Sequence, residues 1–205
     1  MARVDPLDAN TLRDIANQIG KKIGMMPDAI PCYWIPNRID HLKAAQSILI
    51  KISFPVWEAS APQTEPTDTL SWHHQVLFDN VPLAFARSKP QADSMSIFCF
   101  YYSQLAQNID EGIQNIDNTP DLDDTWKAQL LFIPTHLSYG IMLVNTVNAT
   151  EKKIVPVFVP PQYPVSHSLL AVQDMNTFLT ALYSSPGISP FEGTNTLGRG
   201  KQRYP

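Results

Sequence analysis

The stretch from residue 139 to 159 constrains the fold of this chain more than any other. It reads Tyr139-Gly140-Ile141-Met142-Leu143-Val144-Asn145-Thr146-Val147, then five polar or small residues, then Lys153-Ile154-Val155-Pro156-Val157-Phe158-Val159. Two runs rich in β-branched and aromatic residues around a short polar connection predict a β-hairpin. The first run is apolar almost throughout, so it is expected to be buried on both faces. Pro156 cannot donate to a ladder, which places it at a sheet edge or a bulge.

The rest of the chain reads as cover for this hairpin. Residues 8–23 form an amphipathic helix, with Leu12, Ile15, Ala16, Ile19 and Ile23 on one stripe and Asp8 as N-cap. Residues 38–56 read as a short helix followed by a strand in which Ile48, Ile50, Ile52 and Phe54 alternate, ending at Pro55. Residues 75–88 predict a second hairpin turning at Asp79-Asn80. Residues 93–116 carry two periods at once. Residues 97–102 are strand-like, yet Phe98, Tyr101, Tyr102, Leu105, Ile109, Ile113 and Ile116 keep helical spacing, and the reading preferred here is one long helix. Residues 126–133 form a short helix or strand closed by Pro134, and residues 166–184 a final helix with Leu169, Val172, Met175, Phe178, Leu179 and Leu182 on one face.

Helices and antiparallel strands thus interleave without a βαβ rhythm. The expectation is an α+β fold, one compact domain over 1–185, mainly an antiparallel sheet built on hairpins with three or four packed helices. Residues 58–69 lack periodicity and read as a mobile loop, and 186–205 as an irregular tail. With 44% hydrophobic residues, the chain of 205 has material for a sizeable core. Its 18 prolines against 8 glycines break it into short elements and stiffen the loops.

Composition narrows the function classes. A net charge of −4, with basic residues concentrated only at Arg199, Lys201 and Arg203, argues against nucleic acid as a partner. No apolar run has the length of a membrane span, and no apolar stretch follows Arg3 as a secretory leader would require. Two cysteines do not make a disulfide framework, so a cytoplasmic protein is expected. GxGxxG, Walker, GxSxG, HExxH and CxxC patterns are all missing, and no cofactor is expected.

Three groups of residues are candidates for chemistry or binding. Cys32 lies on a loop bracketed by Pro27, Pro31 and Pro36. A thiolate there, paired with His73, His74 or another histidine, would make a nucleophile and base. Cys99, inside Phe98-Cys99-Phe100, reads as a small buried hydrophobe. The His73-His74 tandem follows Trp72 at the entry of a strand, where successive rings point to opposite faces and a polar strand entry is the simpler reading. Asp117, Asp121, Asp123 and Asp124 offer oxygen ligands for a divalent cation, but without EF-hand spacing they suit a turn better. Tyr33, Trp34 and Trp72 are the binding candidates, because aromatic side chains on a proline-stiffened loop lose little entropy when they meet a partner.

The function expected from these features is a non-catalytic binding or accessory protein acting through protein–protein contact, with a protein partner or self-association. The alternatives are a small cysteine/histidine-dependent hydrolase or transferase, and a structural subunit of a larger assembly.

Overall fold

The structure is a computed structural model. It describes residues 4, 7–25, 39–62, 64–92, 94–102 and 104–186, and of residues 39–41 and 98–102 the backbone alone. Among the described residues, four α-helices and an eight-stranded sheet make a single compact α+β arrangement. No helix among them is long and apolar enough to cross a membrane.

In chain order the elements are α1 (Ala9–Met25), α2 (Ile39–Ala44), β1 (Ile48–Glu58), β2 (Thr67–Phe78), β3 (Val81–Gln91), β4 (Ser94–Tyr102), α3 (Gln104–Asp117), β5 (Trp126–Ile133), β6 (Ser138–Asn145), β7 (Lys152–Phe158), β8 (Gln173–Asp174) and α4 (Met175–Tyr183). The strands lie in the order β4-β3-β2-β1-β5-β6-β7-β8. All neighbours are antiparallel except β1 and β5, which run parallel over Val56↔Leu130, Trp57↔Leu131 and Glu58↔Phe132. Two antiparallel meanders, β1–β4 and β5–β8, are therefore joined by one short parallel seam.

The predicted central hairpin is β6–β7, and its first strand is buried on both faces over residues 140–143. Pro156 sits beside a register shift, between Tyr139↔Phe158 and Gly140↔Pro156, and beyond the two residues of β7 that β8 covers. Both positions spare it a ladder donor. The second hairpin is β2–β3. Its two turn residues, Asp79 and Asn80, have φ of 50° and 67°, the left-handed pair that suits the twist of a tight hairpin.

The α1 stripe buries Ile15, Ile19 and Ile23, and the Asp8 carboxylate accepts from the backbone N–H of Asn10 (2.9 Å) and Thr11 (3.1 Å). These bonds, with one from the Thr11 hydroxyl, hold the Asp8 carboxyl below its ordinary range. The stripe packs on Val76, Ala84, Ala86 and Ile97. On the opposite face α3 buries Leu105, Ile109 and Ile116 against residues from both meanders, among them Phe54, Phe85, Leu130, Ile141 and Val157. The helix sits close to the sheet because Gly112 faces it: a Cβ there would lie 3.1 Å from both Ile141 and Val157. In the register, Trp57 and Leu131 point away from α3, and α4 covers that side with Met175, Phe178, Leu179 and Leu182. Thus α1 and α4 share one face and α3 holds the other.

Four expectations are corrected. Residues 93–116 are not one helix: β4 pairs with β3 along 94–102, and α3 starts only at Gln104. The spacing counted from Phe98 merged a strand with the helix after it, and pairing with β3 decided between the two periods. The final helix does not begin at 166. A 3-10 segment (Pro164–Ser168) and β8 come first, and α4 begins at Met175, capped by Asp174. Strand β1 runs through Pro55, which pairs with Trp72 just before the seam with β5 begins at Val56. Strand β2 begins at Thr67, so the connection from β1 is residues 59–66.

Candidate functional site

His73 and His74 sit in the middle of β2, not at its entry, and both side chains are 0% exposed. They point to opposite faces, as strand alternation requires. On the α1 face, His74 is opposite Ser53 of β1 and diagonal to Ser88 of β3. Its Nδ1 is 2.8 Å from Ser53 Oγ and its Nε2 2.7 Å from Ser88 Oγ. A neutral imidazole has one donor and one acceptor nitrogen, so it gives a proton to one hydroxyl and takes one from the other. Burial pushes the His74 pKa down to about 3, which keeps the ring neutral. A serine beside an imidazole has the contact of a nucleophile with its base. Here both serines are buried and the base is a weak one, so the triplet does the work of a polar clasp across three strands.

On the α3 face, His73 lies between Phe54 and Arg87 of the neighbouring strands. It stacks on Phe85 with centroids 4.6 Å apart and meets Tyr139 at 6.5 Å. Neither of its nitrogens has a hydrogen-bond partner. Burial pushes its pKa well below the ordinary imidazole range, and the charges of His74 and Arg87 add to the shift. Two residues along the same face, Gln75 donates to the carbonyl of Ala106 in α3 (2.7 Å), while its own Oε1 is buried without a partner.

A third histidine, His136, is buried beyond the far end of β5. Its Nδ1 is 2.9 Å from Thr135 Oγ1 and its Nε2 is 3.2 Å from the carbonyl of Ser185. The rings of Tyr163 and Tyr183 pack at 5.1 and 4.4 Å, and the Tyr183 hydroxyl donates to the carbonyl of Ala59 (3.0 Å). Burial raises the Tyr183 pKa. This cluster pins the end of α4 to the connection after β1. Its members lie 27 and 20 residues apart in the chain, at no spacing that marks a motif.

The other sequence candidates do not converge on these groups. Cys32, Tyr33 and Trp34 lie outside the described residues, as does the tail after 186. Trp72 is half-buried against the α1 core. Asp123 accepts from the backbone N–H (2.9 Å) and hydroxyl (2.6 Å) of Thr125, which lowers its pKa and closes the turn before β5. Asp117 and Asp121 are exposed. Among the described residues, no group of three or more His, Cys, Asp or Glu side chains is placed to hold a metal ion.

The remaining feature is the pair of sheet edges. β4 is the outermost strand on one side, nine residues long, and no described strand pairs with its outer edge. Residues 94–102 read Ser-Met-Ser-Ile-Phe-Cys-Phe-Tyr-Tyr, without a charge or a proline. Exposed edges normally carry such residues to prevent pairing with other chains. The one protective feature is a register shift at Phe98, between the pairs Ser88↔Ile97 and Arg87↔Cys99. The other edge is closed. β8 covers Lys153 and Ile154 of β7, the N–H of Leu170 reaches the carbonyl of Pro156 (2.8 Å), and Asn108 of α3 reaches the carbonyl of Val157 (2.8 Å). The sequence reading missed the open edge because it took this segment as helix.

No family model, curated protein or solved structure matches the chain. Its function is therefore read from its own geometry.

Proposed function

We propose that this is a non-catalytic binding or accessory protein that works through protein–protein contact, with the outer edge of β4 as the contact. The observation that carries this reading is the asymmetry of the sheet. One edge is covered along its length by short pairing, prolines and side-chain bonds, and the other is long, uncharged and unpaired by any described strand. A strand added there would gain main-chain hydrogen bonds along β4 and place alternate side chains above and below the sheet. The histidines support the reading indirectly. His73, His74 and His136 are sealed in the interior, where they hold strands rather than meet a substrate. In this reading the protein acts in the cytoplasm and needs neither cofactor nor nucleic acid.

The test is selection of short extended peptides from a random display library, followed by transfer of the winners to Ser94→Lys/Ser96→Lys protein. Ser94 is exposed and Ser96 half-buried, so lysine is tolerated at both while guarding the edge. Peptides that bind the unaltered protein and fail on the lysine variant support the reading. Recovery of none, or of peptides indifferent to the variant, would overturn it.

A further inference from the structure

We infer that the strand accepted by this edge is β4 of a second copy of the chain, paired antiparallel about a two-fold axis. The inference rests on the strand-addition reading above and names its partner. Three observations lead to it.

The first is charge. Two copies of one strand set like residues near one another, and a charged edge would place like charges across the pair. Residues 94–102 carry none, so uncharged residues meet uncharged residues wherever the axis falls. The second is closure. A sheet with two open edges can add copies at both and grow without limit. Here the β7 edge is occupied by β8, by the N–H of Leu170 and by Asn108, so growth stops at two. Only the same edge on another copy remains, and such an isologous contact closes. The third is packing. The side chains of Met95 and Ile97 are buried beneath α1, and the Gln18 amide donates to the carbonyl of Met95 (2.7 Å). The start of β4 is held straight by its own helix, ready to pair. The register shift at Phe98 divides the edge into two four-residue runs, 94–97 and 99–102, and a two-fold pair can use the runs symmetrically.

The product is one continuous sheet across both copies, with α1 and α4 of each on the faces already described. It is tested by native mass spectrometry and backbone hydrogen exchange on the full chain, from low to high micromolar concentration. The expected result is a shift from the chain mass to twice that mass. Protection should rise over 94–102 and stay unchanged over 152–158. Ser94→Lys/Ser96→Lys should remain at the single chain mass with an unchanged circular dichroism spectrum.

A protein that stays at the chain mass throughout would overturn self-pairing. The strand-addition reading would then stand or fall on the peptide selection alone. A dimer that persists in the lysine variant, or one that forms with no added protection over 94–102, would assign the contact to another surface and also overturn the inference. Masses beyond two copies would contradict the closed β7 edge and favour a subunit of a larger assembly.

Discussion

Strands β1–β4 bury His73, His74, Gln75, Ser53 and Ser88 along their middles and leave their outermost strand open. Strands β5–β7 fill the same positions with Leu130, Leu131, Ile141, Leu143, Ile154 and Val155, keep His136 and Ser138 to the strand ends, and have their edge covered. The two meanders share a plan and a helix, yet one is held by polar bonds as well as packing and the other by packing almost alone. Apolar packing does not depend on pH, and a covered edge accepts nothing. The polar meander is therefore where conditions and partners can act on this protein.

The largest expected effect separates the two histidines within that meander. His74→Ala removes the clasp and leaves Ser53 and Ser88 without it, beside a cavity, at a cost of about 3–5 kcal/mol. His73→Phe exchanges a ring with no bonded nitrogen for an apolar ring of similar shape, and stability should stay within about 1 kcal/mol of the parent or exceed it. Urea unfolding of both variants checks the contrast. Equal losses would mean that the two rings do the same work.

Acid should act nearly as strongly. Both imidazoles have folded pKa values below their ordinary 6.5, that of His74 at about 3. The unfolded chain therefore binds protons that the folded chain refuses, and stability rises with pH through this window. The contribution is fully present above 6.5 and is lost as pH falls towards the folded values. Between about pH 6.5 and pH 5 the pair should withdraw roughly 4 kcal/mol. His73→Phe should halve that slope. A thermal midpoint that does not change over this range would contradict the neutral, buried state of the rings.

The apolar meander should answer to shape instead. In Gly140→Ala the new Cβ would meet Ile154 at 2.5 Å in a fully buried site, and the side chain must turn aside at a cost of about 1–3 kcal/mol. That loss should be the same at pH 7 and pH 5, unlike the loss in β1–β4. Smaller still is Asp174→Ala. Asp174 caps α4 by accepting from the N–H (2.7 Å) and hydroxyl (2.8 Å) of Thr177, and it also pairs with Lys153 of β7. Removing the cap should cost about 1 kcal/mol and loosen the covered edge, seen as faster exchange over 152–158.

The sequence carried the parts of this picture that rest on local signals. The turn at Asp79-Asn80, the run 139–147 and the stripe of α1 each declare themselves within a few residues, because twist, burial on two faces and helical period leave local marks. Residues 94–117 did not, since a strand and a helix in succession shared one apparent spacing. Residues 166–174 kept the spacing of the helix that follows them, yet they serve to cover β7. The burial of His74 depends on Ser53 and Ser88, which lie 21 and 14 residues away and meet it only through strand register. Alternation placed the two rings on opposite faces, and nothing local to them reveals that both are sealed. The proline loop around Cys32, Tyr33 and Trp34 lies outside the described residues and bears on neither meander.

The central claim is that the two edges of the sheet differ. Hydrogen exchange at the lowest workable concentration compares them most directly. The account predicts fast exchange at alternate amides over 94–102, where every second N–H faces outward, and slow exchange at the outward amides of β7 that β8 covers. Protection over 94–102 equal to that of β7 would show that the β4 edge is already covered within one chain, and would contradict the account.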